Sequence, residues 1–166
     1  MRKILSFLTL LMFFCLPHYT AKAQNNDMKH ADSTHITLNE NDLKWMDAPP
    51  QLPKGAMMVV LQGDPSKEGE FTIRATFPAN YKIAPHWHPT TENVTILKGT
   101  LYLGTGDKLD ENMAKMLQVG GFASIPATHH HYAFTKGECV IQVSAMGPFA
   151  INYLNPADDP SKQMKQ

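Results

Sequence analysis

The chain has little cysteine: Cys15 and Cys139 are its two cysteines in 166 residues. Cys15 lies in an N-terminal segment that we expect to be removed, and a single remaining thiol cannot form an internal disulfide. A disulfide-stabilised scaffold is therefore excluded. Cys139 belongs to the apolar run Cys139-Val140-Ile141, so we expect a buried and unreactive thiol.

The chain also lacks an apolar run long enough to cross a bilayer, which takes about 20 residues. Its longest run, Ile4 to Leu16, follows Arg2 and Lys3 and precedes the small-residue pattern Ala21-Lys22-Ala23. This order is typical of a secretory signal peptide, which we place at residues 1–23. The sequence therefore predicts a periplasmic or secreted protein with no membrane span after cleavage.

An excess of basic charge is absent as well. The chain has 15 basic and 15 acidic side chains, and the signal peptide contains Arg2, Lys3 and Lys22 but no acid, which leaves 12 basic against 15 acidic. No basic stripe remains, so nucleic acid is not an expected partner. No Ser-His-Asp or Cys-His arrangement and no glycine-rich phosphate loop is present either, which excludes the hydrolase and nucleotide-binding classes that depend on them.

What the sequence does contain is a β pattern. Residues 24–43 are polar and predict a flexible leader, residues 44–155 a single domain, and residues 156–166 a polar tail. Within the domain, residues 70–77 alternate strictly, with Phe71, Ile73, Ala75 and Phe77 on one face. Many short strands separated by glycine and proline turns indicate an all-β sandwich or barrel.

Two local patterns give further expectations. Leu109, Met113, Met116 and Leu117 recur at helical spacing after the potential N-cap Asp107, which predicts one short helix over residues 107–117. Lys98-Gly99 connects two strand patterns and predicts a hairpin.

The residues with metal chemistry lie in two stretches. His86 and His88 are two apart in a predicted strand, so their side chains share a face, and Glu92 follows. The second stretch is Thr128-His129-His130-His131, in which His129 and His131 share a face; spacing alone leaves both as candidates for a third imidazole. Imidazoles with a carboxylate suit Mn, Fe, Co, Ni, Cu or Zn better than Ca or Mg.

The two stretches resemble the two motifs of the cupin superfamily. The pattern His-x-His-x3-Glu-x6-Gly is matched throughout, and Gly-x5-Pro-x-Gly-x2-His-x3-Asn is matched in part; the matching residues are His86, His88, Glu92 and Gly99, then Gly120, Pro126 and His131. There are three departures. Asn80 and Thr128 stand where the motifs have glycine, and Thr135 stands where the second motif ends in asparagine.

This resemblance implies a double-stranded β-helix, a small jelly-roll barrel, with one divalent transition metal (Fe, Mn, Zn, Ni or Cu) inside it. By the same resemblance the metal ligands are His86, His88, Glu92 and His131. The alternative is a site of three histidines in which Glu92 orients one of them. Cupins often form dimers through edge strands, and closing exposed edges is a physical reason to expect a homodimer.

A six-coordinate ion with these four ligands keeps two positions for a small-molecule ligand or substrate. The expected function is a metal-dependent enzyme on a small oxygenated substrate, either a dioxygenase or an isomerase. The alternative is a non-catalytic cupin that binds or senses a metal or a small ligand. No catalytic residue beyond the ligands is assigned. Three residues with polar tips on neighbouring strands are candidates to line a substrate pocket: Tyr102, Gln142 and Tyr153.

Overall fold

The computed structural model describes residues 35–163, so the predicted signal peptide and most of the predicted leader lie outside the described residues. Within residues 35–163 the chain forms eleven strands. They are β1 (Met46–Asp47), β2 (Met57–Gln62), β3 (Gly69–Phe77), β4 (Lys82–Trp87), β5 (Glu92–Lys98), β6 (Thr100–Thr105), β7 (Lys115–Gln118), β8 (Phe122–Ile125), β9 (His131–Phe134), β10 (Cys139–Gly147) and β11 (Asn152–Tyr153).

The strands form two antiparallel sheets. One has the order β1-β2-β3-β10-β5-β8 and the other the order β11-β4-β9-β6-β7. Several neighbours within the sheets are far apart in the sequence, as in β10, which pairs with both β3 and β5. The two sheets enclose one core, and the predicted all-β jelly-roll of the cupin type is confirmed.

The inner faces of the two sheets form the hydrophobic core. Phe71, Ile73, Ala75 and Phe77 of β3 are all buried, which confirms the face predicted from their alternation. Cys139 at the start of β10 is fully buried, and burial raises the pKa of its thiol to about 11. The thiol therefore stays protonated at neutral pH, in agreement with the predicted inert role.

The predicted helix over residues 107–117 is wrong. The chain makes turns there, in which the Asp110 side chain accepts a hydrogen bond from the Asn112 amide, and then enters strand β7. Strand β7 pairs with β6 and buries Leu117, while Met116 on the opposite face is exposed. The gain from completing a sheet edge and burying Leu117 outweighs a weak helical propensity.

The predicted hairpin at Lys98-Gly99 is also wrong, because β5 and β6 belong to different sheets. Gly99 has φ +73°, and a Cβ at this position would overlap the carbonyl group of Glu138. This conformation lets the chain leave one sheet and enter the other in a single step.

Short helical segments lie at both ends of the described chain. A 3-10 turn spans Glu40–Asp42, a second spans Pro156–Asp158, and the helix α1 spans Pro160–Gln163. The last two lie in the predicted polar tail, where the Asn155 side chain accepts a hydrogen bond from the Ala157 amide as an N-cap. None of the helices among the described residues has the length and apolar character needed to cross a membrane.

Candidate metal centre

Three predicted ligands meet inside the barrel. His86 and His88 are each 4% exposed and His131 is 2% exposed. His86 and His131 are direct partners across β4 and β9, and one ring nitrogen from each of the three histidines lies within 4.8 Å of the others. His129, the alternative left open by spacing, is exposed to solvent. The geometry therefore selects His131.

A β-bulge directs His86 into the barrel. Ile83 pairs with Ala133 and His86 pairs with His131, so β4 uses three steps where β9 uses two. The extra residue lies in Ala84-Pro85. Proline has no N–H group to donate to a neighbouring strand, and it is tolerated at a bulge because the bulged residue is not paired. As a result, Ile83 and His86 both line the interior although they are three residues apart.

Backbone carbonyl groups hold all three imidazole rings in one tautomer. The Nδ1 atoms of His86, His88 and His131 lie 2.7, 2.8 and 2.9 Å from the carbonyl oxygens of Ala84, Ala150 and His129. A carbonyl only accepts, so each Nδ1 must carry the proton, and each Nε2 is left with a free lone pair. This is the arrangement that ligating histidines show, with the second ring nitrogen fixed by a hydrogen bond.

The same surroundings favour the neutral form of His86 and His88. Burial lowers the pKa of His86 to about 3, with a smaller contribution from the neighbouring His131 and His88 rings. Burial also lowers the pKa of His88, although the Glu92 carboxylate and the Ala150 carbonyl oppose the shift. Only the neutral imidazole can donate a lone pair, so both shifts keep these residues available as ligands at neutral pH.

Glu92 approaches from the other sheet. It begins β5, its side chain is 13% exposed, and its Oε2 lies 3.6 Å from Nε2 of both His88 and His131. Burial raises the pKa of this carboxyl group, but its close contact with His131 and the influence of His88 outweigh burial and leave the pKa lowered. An anionic oxygen therefore faces two free imidazole nitrogens.

The donor set fits a divalent transition metal. Three buried imidazoles within 4.8 Å of one another match the ligand preferences of Mn, Fe, Co, Ni, Cu and Zn. Of the four predicted ligands, His86, His88 and His131 form the set that could hold an ion, and the Glu92 carboxylate lies 3.6 Å from two of them. The fit rests on the three hydrogen bonds from Nδ1–H groups to backbone carbonyls, because they fix the tautomer that a metal requires.

The histidines line a cavity of about 80 Å³. Apart from the three histidines and Glu92, its walls are hydrocarbon side chains, which are Leu52, Ile73, Ala75, Phe77, Ile83, Val94, Leu101, Leu103, Ala133, Ile141, Val143 and Phe149. A volume of this size accommodates a few water molecules or the head of a small organic ligand. We call this space the histidine cavity.

None of the three predicted pocket residues lines the histidine cavity, which corrects the prediction. Tyr102 alternates with the inward Leu101 and Leu103, so it faces outward, where it stacks on Phe134 at a centroid distance of 4.8 Å. Gln142 likewise lies between the inward Ile141 and Val143, and its Oε1 accepts a hydrogen bond from Arg74 Nε at 3.2 Å. Strand alternation decides both orientations.

The third predicted pocket residue, Tyr153, lies at the edge of the site. Its ring is 5.8 Å from that of His86, centroid to centroid, but its hydroxyl donates to the Gln51 carbonyl oxygen at 2.7 Å. The hydroxyl is therefore engaged with the backbone and does not face the histidine cavity.

Sequence analysis missed Phe149. Its ring stacks on His88, with a centroid distance of 4.2 Å and an interplanar angle of 21°, and it also contacts Phe71 edge-on. The next residue, Ala150, provides the carbonyl oxygen for His88 Nδ1. One segment thus fixes both the face and the edge of His88. The Gly147-Pro148 pair before it was the only local indication of an unusual chain path.

Two of the three motif departures adopt a backbone conformation that favours glycine. Asn80 (φ 60°) and Thr128 (φ 63°), which replace glycines, are the non-glycine residues with positive φ among those described. Thr135, which replaces asparagine, is buried; its hydroxyl donates to the Pro78 carbonyl oxygen and accepts from the Tyr81 amide. Left-handed backbone is unfavourable for a β-branched residue, so Thr128 stores strain three residues from His131.

Comparison with known protein families matches most of the chain to one family. Residues 13–152 match the family DUF4437, described as a domain of unknown function. No curated protein sequence matches the chain.

Solved structures with the same fold have low sequence identity to this chain. The polyketide cyclase RemF from Streptomyces resistomycificus is 17% identical, with a TM-score of 0.64 over 80% of this chain and 94% of that one. A candidate acetylacetone dioxygenase from Methylibium petroleiphilum PM1 is 17% identical, with a TM-score of 0.58 over 76% and 85%. An RmlC-like cupin from Ralstonia eutropha JMP134 is 19% identical, with a TM-score of 0.57 over 74% and 73%.

Proposed function

We propose, from the premise that this chain belongs to the DUF4437 family of cupin-like domains, that it is a mononuclear metal-dependent enzyme acting on a small chelating substrate. The observation that carries the proposal is the set of three buried imidazoles whose Nδ1–H groups are all held by backbone carbonyls, so that three Nε2 lone pairs face one point beside Glu92.

The charge of the site favours anionic oxygen ligands. Three neutral donors and one carboxylate leave a divalent ion with a net positive charge, and the walls around it are hydrocarbon. Low polarity strengthens the attraction between such a centre and an enolate, phenolate or carboxylate oxygen. When bound, the ion would supply Lewis acidity and, if redox-active, one-electron chemistry with dioxygen.

The apolar character of the cavity walls distinguishes between the two expected reactions, dioxygenation and isomerisation. A sugar needs hydrogen-bond partners for each hydroxyl group, because a buried hydroxyl without a partner costs about 1–3 kcal/mol. The walls of the histidine cavity offer none beyond the four site residues. We therefore favour a substrate with a short oxygen chelate and an apolar body, such as a 1,3-dicarbonyl or a catechol, and dioxygenation over sugar isomerisation.

The residues of the chain then have distinct tasks. His86, His88 and His131 supply neutral donors in the correct tautomer, and Glu92 supplies the anionic donor. Phe149 holds the plane of the His88 ring. The aliphatic walls exclude water and accept the apolar part of the substrate.

The test starts with metal content. The protein, produced without a histidine tag, is analysed by mass spectrometry for bound metal, reloaded with Fe²⁺, Mn²⁺, Ni²⁺, Cu²⁺ or Zn²⁺, and assayed for oxygen consumption with 2,4-pentanedione and catechols. We expect one redox-active ion per chain and oxygen uptake with such chelators. Tight Zn²⁺ without turnover would support the non-catalytic binding alternative, and the absence of any metal at stoichiometric level would refute both.

We propose further that the mature protein is exported and forms a homodimer. The N-terminal pattern of residues 1–23 supports export, and mass measurement of the mature protein should give an N-terminus at Gln24. The edge strands β7 and β8 support pairing, because the exposed Met116 and Phe122 lie on them. Light scattering should give twice the chain mass, and a monomer would contradict this part of the proposal.

A further inference from the structure

A groove on the outside of the barrel adjoins the histidine cavity. The groove has a volume of about 830 Å³ and lies between residues 47–56, the start of β4 at Lys82 and Ala84, and helix α1. Leu52 lines both the groove and the histidine cavity, and it is the one residue common to the two linings. Leu52 is therefore the side chain at which the groove and the histidine cavity meet.

Leu52 lies on a connection that links edges of the two sheets. It belongs to the segment between β1 and β2, at one edge of the first sheet, and its neighbour Gln51 is hydrogen-bonded to Tyr153 of β11, at an edge of the second sheet. The side chain packs against the core as a partly buried residue. The connection thus joins the two sheet edges, with the Leu52 side chain directed toward the core.

The backbone around Leu52 is held firmly. Pro49, Pro50 and Pro53 restrict φ on both sides of it. The Tyr153 hydroxyl donates to the Gln51 carbonyl oxygen at 2.7 Å, and the Tyr81 hydroxyl donates to the Pro53 carbonyl oxygen at 2.6 Å. The Leu52 side chain has no polar attachment, and side-chain rotation is far faster and less costly than movement of such a backbone.

We propose that Leu52 is the specificity-determining gate of the histidine cavity. Small ligands pass from the groove into the cavity when the Leu52 side chain rotates, and its bulk limits the size of the group that reaches the histidines. The apolar body of a longer substrate then lies in the groove, while its chelating head lies in the cavity. This inference rests on the proposed function, since it assigns the route to the same site.

The experiment measures the exit of metal, not catalysis. Protein loaded with Co²⁺ is mixed with a small chelator, dipicolinate, or a bulkier one, 4-(2-pyridylazo)resorcinol, and Co²⁺ loss is followed by absorbance. Leu52→Ala should accelerate extraction by about tenfold, equivalent to about 1.4 kcal/mol of barrier, and most for the bulkier chelator. Tyr153→Phe, which frees one side of the connection, should give a smaller acceleration.

Leu103→Ala is the matched control. Leu103 is also a partly buried leucine in the wall of the histidine cavity, but it does not line the groove. The Leu103→Ala substitution removes the same atoms from the cavity wall as Leu52→Ala, so it reproduces any general loosening of the cavity. The rate of Co²⁺ extraction from this variant should stay within about twofold of the wild-type rate.

Equal acceleration by Leu52→Ala and Leu103→Ala, or none by Leu52→Ala and Tyr153→Phe, would overturn the gate. If the wild type binds no Co²⁺, the proposed function fails, and the gate is then tested separately by xenon exchange in the metal-free protein, measured by ¹²⁹Xe NMR. Faster xenon exchange in Leu52→Ala than in Leu103→Ala supports the gate, and equal exchange rejects it.

Discussion

The consecutive histidines His129, His130 and His131 have different surroundings. His131 is 2% exposed, lies in the barrel and contacts Glu92, whereas His130 points outward and its Nδ1 lies 2.7 Å from Asp107, and His129 is exposed. One step along the chain thus changes a candidate ligand into a surface residue. Strand β9 begins at His131, so His129 and His130 precede the strand, and the alternation that would place His129 on the face of His131 does not extend to them.

The same contrast recurs elsewhere. Leu117 is buried while Met116 is 52% exposed, and Phe149 packs on His88 while Phe122 is 60% exposed. Each pair joins similar side chains in opposite environments. Paired substitutions can therefore separate what a residue type does from what its position does.

The largest expected difference lies between His131→Ala and His129→Ala. His131→Ala removes a buried donor, so the protein should lose essentially all bound metal, whereas His129→Ala keeps the backbone carbonyl that holds His131 and should retain it. Metal analysis of both purified variants decides the matter. Full metal content in His131→Ala would show that the centre is assigned to the wrong residue.

Leu117→Ala and Met116→Ala test strand β7 in place of the helix. Removal of the buried leucine should cost about 2–4 kcal/mol of unfolding free energy, and removal of the exposed methionine less than about 0.5 kcal/mol. Urea unfolding gives both values. Similar losses in the two variants would mean that this segment does not form the strand described.

Phe149→Ala should weaken metal binding without removing a ligand. The loss of stacking frees the His88 ring, and partners of ligating residues typically contribute about 10- to 100-fold in affinity. Phe122→Ala, at an exposed position, should leave the affinity unchanged. Competition with a calibrated chelator measures both; equal affinities would remove the positioning role of Phe149.

Acid should destabilise the metal-free protein in a definite window. The pKa of His86 falls from 6.5 to about 3 on folding, so between these values the unfolded chain binds more protons and stability decreases as pH falls. The slope is at most about 1.4 kcal/mol per pH unit for each such histidine, and His88 acts in the same direction. Stability curves at pH 7 and 5 should differ less in His86→Leu; an unchanged slope there would contradict the burial argument.

The smallest effect is expected at the strained turn. Thr128→Gly relieves left-handed backbone at a β-branched residue and should stabilise the protein by up to about 1 kcal/mol after the entropy cost of glycine. Asn80→Gly is the matched change at φ 60°, and it should gain less because asparagine tolerates this conformation. Thermal unfolding compares them, and a loss of stability in Thr128→Gly would show that its hydroxyl matters more than the strain.

Local pattern was sufficient for much of the fold. The alternation of Phe71, Ile73, Ala75 and Phe77 predicted a buried face, and the spacing of His86 and His88 predicted a shared direction, because both depend only on the geometry of one strand. The helix at residues 107–117 and the hairpin at Gly99 failed because their alternatives depend on partners distant in sequence. The prediction that Tyr102 and Gln142 line the pocket was wrong for a different reason, since the polarity of a side chain does not show which face of a strand is inward.

By itself, the sequence determined the β class, the two histidine stretches and the resemblance that chose His131 over His129, because strand periodicity and motif spacing are local properties. Tertiary structure alone decided that Glu92 meets the histidines from the opposite sheet, that Phe149 covers His88 and that Leu52 lines both the cavity and the groove. These contacts join segments far apart in the chain, and only the packing of two sheets around one core brings them within reach of each other.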